Sequence, residues 1–116
     1  MIEKVILRQE GTLQTPTLDA VKRAAMRTFN VSKSDLESPC KQQSIVYPRQ
    51  IAMYLCRTLT KKSLPQIGRS FGKRDHTTVL HAVRKITRKM DVDPDLAMDV
   101  DRVTETLRTM QVEGNA

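Results

Sequence analysis

The chain reads as a succession of helical periods separated by clean stops. Leu18, Val21, Ala25 and Phe29 recur at three- and four-residue steps behind Thr17, a fair N-cap, and predict a first helix over 18–29. S-K-S-D, from Ser32 to Asp35, has the form of a capping box and predicts a single turn to Leu36. Pro39 breaks the chain after it, and C-K-Q-Q-S-I-V-Y reads as a loop. Pro48 suits the first position of the next helix, which Ile51, Leu55 and Leu59 carry to about residue 59 with Ala52 and Cys56 beside them.

S-L-P-Q, starting at Ser63, repeats the capping box, with Pro65 in the first turn where its missing N–H costs nothing. Gly72, just past Phe71, stops that short helix. Val79, Ala82, Val83, Ile86 and Met90 are the buried stripe of a helix beginning near Asp75. Asp93-Pro94 ends it and opens a last helix, with Leu96, Val100, Val103, Leu107 and Met110 toward the core. Residues 1–14 show no period and read as an arm or linker, with a short strand as the alternative. The expected division is an N-terminal arm over 1–16 and one domain over 17–112.

Composition sharpens the fold class. Aromatic residues are only 3% and Trp is absent, so the core must come from Leu, Ile, Val, Met and Ala, which favours helices over strands. At 116 residues the chain can bury one modest core. The expected fold is an all-α helix-turn-helix bundle.

Charge is concentrated rather than spread. The net charge is +7, yet from Lys41 to Met90 there are twelve Lys or Arg and one acid, Asp75. After Met90, seven acids face only Arg102 and Arg108. A basic middle of this kind attracts a polyanion: DNA, RNA or an anionic membrane surface. Cys40 and Cys56 form no C-x-x-C and no disulfide framework, and free thiols fit a reducing, cytoplasmic setting. M-I-E-K-V-I-L-R-Q-E is not a signal peptide, and no stretch approaches the roughly 20 apolar residues of a membrane span.

The short helix after Ser63, the turn Gly72-Lys73-Arg74 and the helix from Asp75 have the form of a helix-turn-helix, with Gly supplying positive φ. In such motifs the first residues of the second helix reach base edges in the major groove. Here these are Asp75, His76, Thr77 and Thr78. A carboxylate can accept from cytosine, a threonine methyl can pack on thymine, and an imidazole can bond to guanine or adenine. Asp75 also fits the N-cap of the helix.

G-K-R-D-H-T-T-V-L-H-A-V-R-K-I and the preceding Y-P-R-Q-I-A-M-Y-L-C-R-T-L-T-K-K-S-L-P-Q-I-G-R-S-F-G resemble the C-terminal DNA-binding domain of the bacterial replication initiator DnaA family. The resemblance covers about Leu18 to Leu107. It implies an all-helical domain similar to the Trp repressor DNA-binding fold, bound to a short asymmetric duplex site similar to TTATCCACA, the DnaA box. It implies Asp75, His76, Thr77 and Thr78 as major-groove readers. Arg49 and Gln50 match positions that hold the DNA backbone, Arg57 a basic position facing the backbone, and Leu64 and Pro65 a turn that packs on DNA. Lys73 and Arg74 sit beside the readers, where phosphate contact is expected. His81 is assigned to the DNA side or to helix packing, without a base.

One position departs from the family. Where an Arg of a basic loop enters the minor groove, this chain has Lys41, in C-K-Q-Q-S. Lysine keeps the charge but loses the planar fork and sheds water less readily, so either a relaxed preference at the A·T end or a lower affinity is expected.

No catalytic constellation is present. Gly68 to Lys73 has a superficial likeness to a P-loop but one residue too few between its glycines, and Arg74 where Ser or Thr would hold magnesium. His76 and His81 lie off one helical face without a third ligand, so no metal is expected, and no cofactor. The leading expectation is sequence-specific binding of double-stranded DNA, in replication initiation or its regulation, by a cytoplasmic, nucleoid-associated protein. Met1 and the arm favour a free-standing chain over a fragment of an initiator. The alternatives are a transcription regulator of the same fold without a role at the origin, or an interaction module that docks a partner through the acidic last helix; a full-length initiator or a regulatory protein is the protein partner expected. Binding to anionic membrane lipid through a basic amphipathic helix is a third. No oligomeric state follows from the sequence.

Overall fold

Capping residues and apolar periods resolve into six helices among the residues described by the computed structural model, 15–114, with no strand among them. They are α1 Leu18–Phe29, α2 Lys33–Glu37, α3 Gln43–Leu59, α4 Leu64–Ser70, α5 His76–Met90 and α6 Pro94–Gly114. The expected arm over residues 1–14 lies outside the described residues.

Local chemistry explains most boundaries. Thr17 accepts from the Ala20 amide at 3.0 Å, and Asn30 closes α1 in the left-handed region at φ 55°. Both capping boxes form, Ser32 with Asp35 and Ser63 with Gln66. The Asp93 carboxylate accepts from the Asp95 and Leu96 amides at 3.1 and 3.2 Å, starting α6.

One boundary differs from the sequence reading. Pro48 does not open α3; the helix begins at Gln43 and carries Pro48 inside it. An interior Pro costs about 3 kcal/mol in a helix that has only itself. Here the added turns are held from outside. The Tyr47 ring meets Phe29 edge-on at 5.9 Å, and its hydroxyl donates to Asp99 of α6 at 2.5 Å. The Q-S-I-V-Y segment is therefore helix, because α1 and α6 grip it.

Helix α3 is the axis of the bundle. It packs against α1 on one side and α5 on the other; α6 lies on α1, and α4 on α5. The core joins Val21 and Ala25 of α1 to Ile51, Leu55 and Cys56 of α3, Val79 and Ile86 of α5, and Leu96, Val103 and Leu107 of α6. Ile67 and Phe71 anchor α4 and the turn after it with no exposed surface. Burying a side chain of that size contributes about 1.5–3 kcal/mol, enough to fix so short a helix. Cys56 belongs to this core, and burial pushes its thiol up to about 12, so it acts as a small hydrophobe.

Candidate nucleic-acid interface

The turn between α4 and α5 is built on close backbone approach. The Arg74 amide donates to the Gly68 carbonyl at 2.8 Å, and a Cβ on Gly68 would overlap the Arg74 carbonyl oxygen. Gly72 stands at φ 82° and Lys73 at φ 61°, two successive left-handed residues that reverse the chain. The P-loop-like stretch from Gly68 to Lys73 is thus the end of one helix and this reversal.

Asp75 takes the N-cap position of α5 with extended backbone, φ −64° and ψ 148°, but its side chain makes no capping bond. The expected carboxylate cap is corrected here: Oδ1 instead meets His76 Nδ1 at 2.9 Å, both side chains being solvent-exposed. Thr77 and Thr78 are exposed as well, and Val79 behind them is buried. All four expected readers are thus exposed together at the N-terminal end of α5, ahead of its buried stripe.

Arg49 behaves differently from an exposed phosphate binder. It is 6% exposed, and burial, followed by the nearby charge of Arg74, holds its pKa below the usual value. Its guanidinium donates to the carbonyls of Leu36 and Cys40 at 3.0 Å, Asp35 at 3.1 Å and Ser38 at 2.9 Å. Four of its five N–H donors are spent on its own chain. Arg49 is a strut beneath the loop that ends at exposed Lys41. Arg74 is half-buried and also donates to the Ser38 carbonyl, while its Nε is buried without an acceptor.

A second group lies where α3 meets α4. Arg57, exposed in the last turn of α3, donates to the Lys62 carbonyl at 3.2 Å. Leu64 is packed against the core and Pro65 is exposed in the first turn of α4. Gln50 is half-buried on α3. The structure thus joins Lys41, Arg49 and Arg74 through the 38–40 backbone beside the start of α5, and places Arg57, Leu64 and Pro65 at the other junction.

The outer face of α5 continues beyond the readers. His81, left between the DNA side and helix packing, is exposed, and Arg84 and Arg88, which the sequence reading passed over, are exposed with it, following Thr77 at steps of four, three and four. Their signal was available as the polar complement of the buried stripe. Two groups gave no signal: Lys22, which is buried, and the Ser38 carbonyl, which two guanidiniums share. Among the described residues, none of the twelve Lys and Arg between 41 and 90 is ion-paired with a carboxylate. The acidic helix α6 pairs internally, Asp99 with Arg102 and Glu105 with Arg108. No cluster of three metal-ligating side chains occurs among the described residues.

Residues 18–86 match the family described as "Bacterial dnaA protein helix-turn-helix". The chain belongs to this DnaA helix-turn-helix family. It is 50% identical over 91 residues to "Chromosomal replication initiator protein DnaA" of Rhodopseudomonas palustris (strain HaA2), a match covering 78% of this chain and 19% of the relative. The same values hold for the protein of that name from Nitrobacter hamburgensis. The protein of that name from Bartonella quintana (strain Toulouse) is 48% identical over 95 residues, covering 82% of this chain and 19% of the relative. The chain thus spans about a fifth of the length of these curated relatives. The DnaA-family match starts at the first residue of α1 and ends within α5, so it takes in α4, the turn, the start of α5 and the Arg49 strut. Helix α6, which closes the bundle against α1, lies beyond it.

Proposed function

We propose that this chain binds double-stranded DNA at DnaA-box-like sites and acts in replication initiation or its regulation. The observation that carries the reading is the exposed start of α5, with four base-compatible side chains amid Lys and Arg that pair with no carboxylate among the described residues. Asp75, His76, Thr77 and Thr78 read the major groove. Lys73 and Arg57 hold phosphates, and Pro65, on the scaffold of Leu64, rests against the backbone. Lys41 enters the flanking minor groove from the loop that Arg49 braces. Gln50 and Arg49 support this contact from α3 rather than supplying most of the charge.

Membrane binding is less well supported. The apolar stripe of α5, which a lipid surface would need, is occupied by the core through Val79, Ala82 and Ile86. No helix among the described residues is long and apolar enough to cross a membrane. Docking of a partner through acidic α6 has to compete with its internal ion pairs and with Tyr47, which already engages Asp99.

Selection of binding sites from a random duplex pool tests the proposal. Enrichment of one short asymmetric site related to TTATCCACA is the expected result. Enrichment of no sequence, with binding that depends on salt alone, would reduce the chain to a non-specific polyanion binder.

A further inference from the structure

Ser38 is where the two halves of the proposed interface meet. Its carbonyl oxygen accepts from Arg49 Nη2 at 2.9 Å and also from Arg74 Nη2. Its hydroxyl donates to the Asp35 carbonyl at 2.9 Å and accepts from the Cys40 amide at 3.2 Å. Arg49 grips the carbonyls on either side, up to Cys40, one residue before Lys41. Arg74 is the residue before Asp75. The loop carrying Lys41 and the turn carrying the readers therefore hang from one oxygen, although Ser38 and Arg74 are 36 positions apart.

Further contacts run alongside. Lys22 bridges the Glu37 carboxylate and the Ser70 carbonyl, and Gly72 lies so close to the Glu37 carbonyl that a Cβ would overlap it. The arrangement is a poor way to gain stability. Two guanidiniums of like charge share one acceptor with no carboxylate between them, and Arg74 Nε is left without a partner. What it does supply is a fixed separation. Two contacts on one rigid body bind together with less entropy lost than two contacts on a flexible loop.

We propose that Arg74 is a positioning residue: by holding the Ser38 carbonyl jointly with Arg49, it sets Lys41 relative to the start of α5 so that both grooves are engaged at once. This rests on the reading that Lys41 enters the minor groove while Asp75 to Thr78 read the major groove. Arg74→Met removes the bond, and Arg74→Lys, which can still donate to Ser38, is the conservative variant.

The experiment uses the full chain and the site recovered by selection, with an A·T flank, with a G·C flank and with an altered core. Affinity ratios cancel the uniform effect of a lost charge. Lys41→Ala is expected to abolish the flank ratio, on the order of fivefold. Arg74→Met should abolish the same ratio while keeping core discrimination. Arg74→Lys should recover part of it. The double variant Lys41→Ala/Arg74→Met should lose no more of the ratio than either single variant. In free protein, hydrogen exchange at the Cys40 amide should quicken in Arg74→Met with the α4 amides unchanged.

Additive losses, a retained flank ratio in Arg74→Met, or unchanged exchange at Cys40 would overturn the proposal. So would parallel loss of core discrimination, flank discrimination and melting temperature, which marks a purely structural role. If Lys41→Ala leaves the flank ratio intact, the minor-groove reading itself fails and this proposal falls with it. The Lys41 variant alone reports that case.

Discussion

The Lys22 ammonium, 4% exposed, lies 2.6 Å from the Glu37 carboxylate and 5.0 Å from the centre of the Phe71 ring. One buried cation thus ties α1, α2 and the end of α4 together. The bond from Lys22 holds the Glu37 carboxyl below its ordinary value of 4.5, outweighing the opposing effect of burial. A depressed carboxyl favours the native state above its unfolded value and loses that contribution as pH falls through the folded value. Stability should therefore decline as pH drops below about 4.5. Glu37→Gln should be less stable at neutral pH and show a shallower acid decline. Urea unfolding of both proteins across pH 3 to 7, an interval chosen on the order of the carboxylate range, checks this. Parallel curves would show that the pair contributes nothing in solution.

Reading and holding residues should separate in sequence discrimination and in salt dependence. His76→Ala or Thr78→Ala is expected to cost about 1–3 kcal/mol on the selected site and little on random duplex. Arg57→Ala should weaken both about equally and reduce the slope of log affinity against log salt by about 1. Anisotropy titrations at several salt concentrations decide it. If all three variants lose specific and non-specific binding alike, the division between reading and holding is wrong.

Lys41→Arg should tighten binding to a DnaA-like box by roughly 1 kcal/mol or less. A guanidinium sheds water more readily than an ammonium and suits the strongly negative potential of a narrow A·T groove. The gain should be larger on an A·T-rich flank than on a G·C-rich one. Equal gains on both flanks would place Lys41 outside the groove, as a general cation of the surface.

Gly72→Ala should destabilise the fold by about 2 kcal/mol or more, since a left-handed backbone conformation alone costs an L-residue about 1–2 kcal/mol. At φ 82° the new methyl would also overlap the Glu37 carbonyl. The loop must then move away from the turn, so specific DNA affinity should fall by more than non-specific affinity. Thermal unfolding together with binding measures both effects. A variant as stable as the parent would mean that the turn relaxes freely.

Much of this protein was legible in its sequence because the signals are local. Thr17, Ser32 and Ser63 cap helices through bonds spanning three residues, and the stripe from Val79 to Ile86 needs only the helical period. That period does not by itself turn Asp75 to Thr78 outward, since four consecutive residues go almost once round the helix; their exposure belongs to the helix end. The basic middle, and the resemblance that assigns roles within it, are likewise properties of the string of residues.

What the tertiary structure decided depends on partners far away in the chain. Pro48 looked like a helix start because its cost is local, whereas the contacts of Tyr47 with Phe29 and Asp99 that offset it are not. The resemblance placed Arg49 among the residues that hold the DNA backbone, and nothing local in the sequence marks it as buried. Its burial follows from the path of residues 35–40, which brings four carbonyls within reach of one guanidinium. Lys22, buried between α2 and the turn after α4, carried no sequence mark at all. Backbone carbonyls are identical at every position, so which of them will need a buried cation is settled only when the helices have packed.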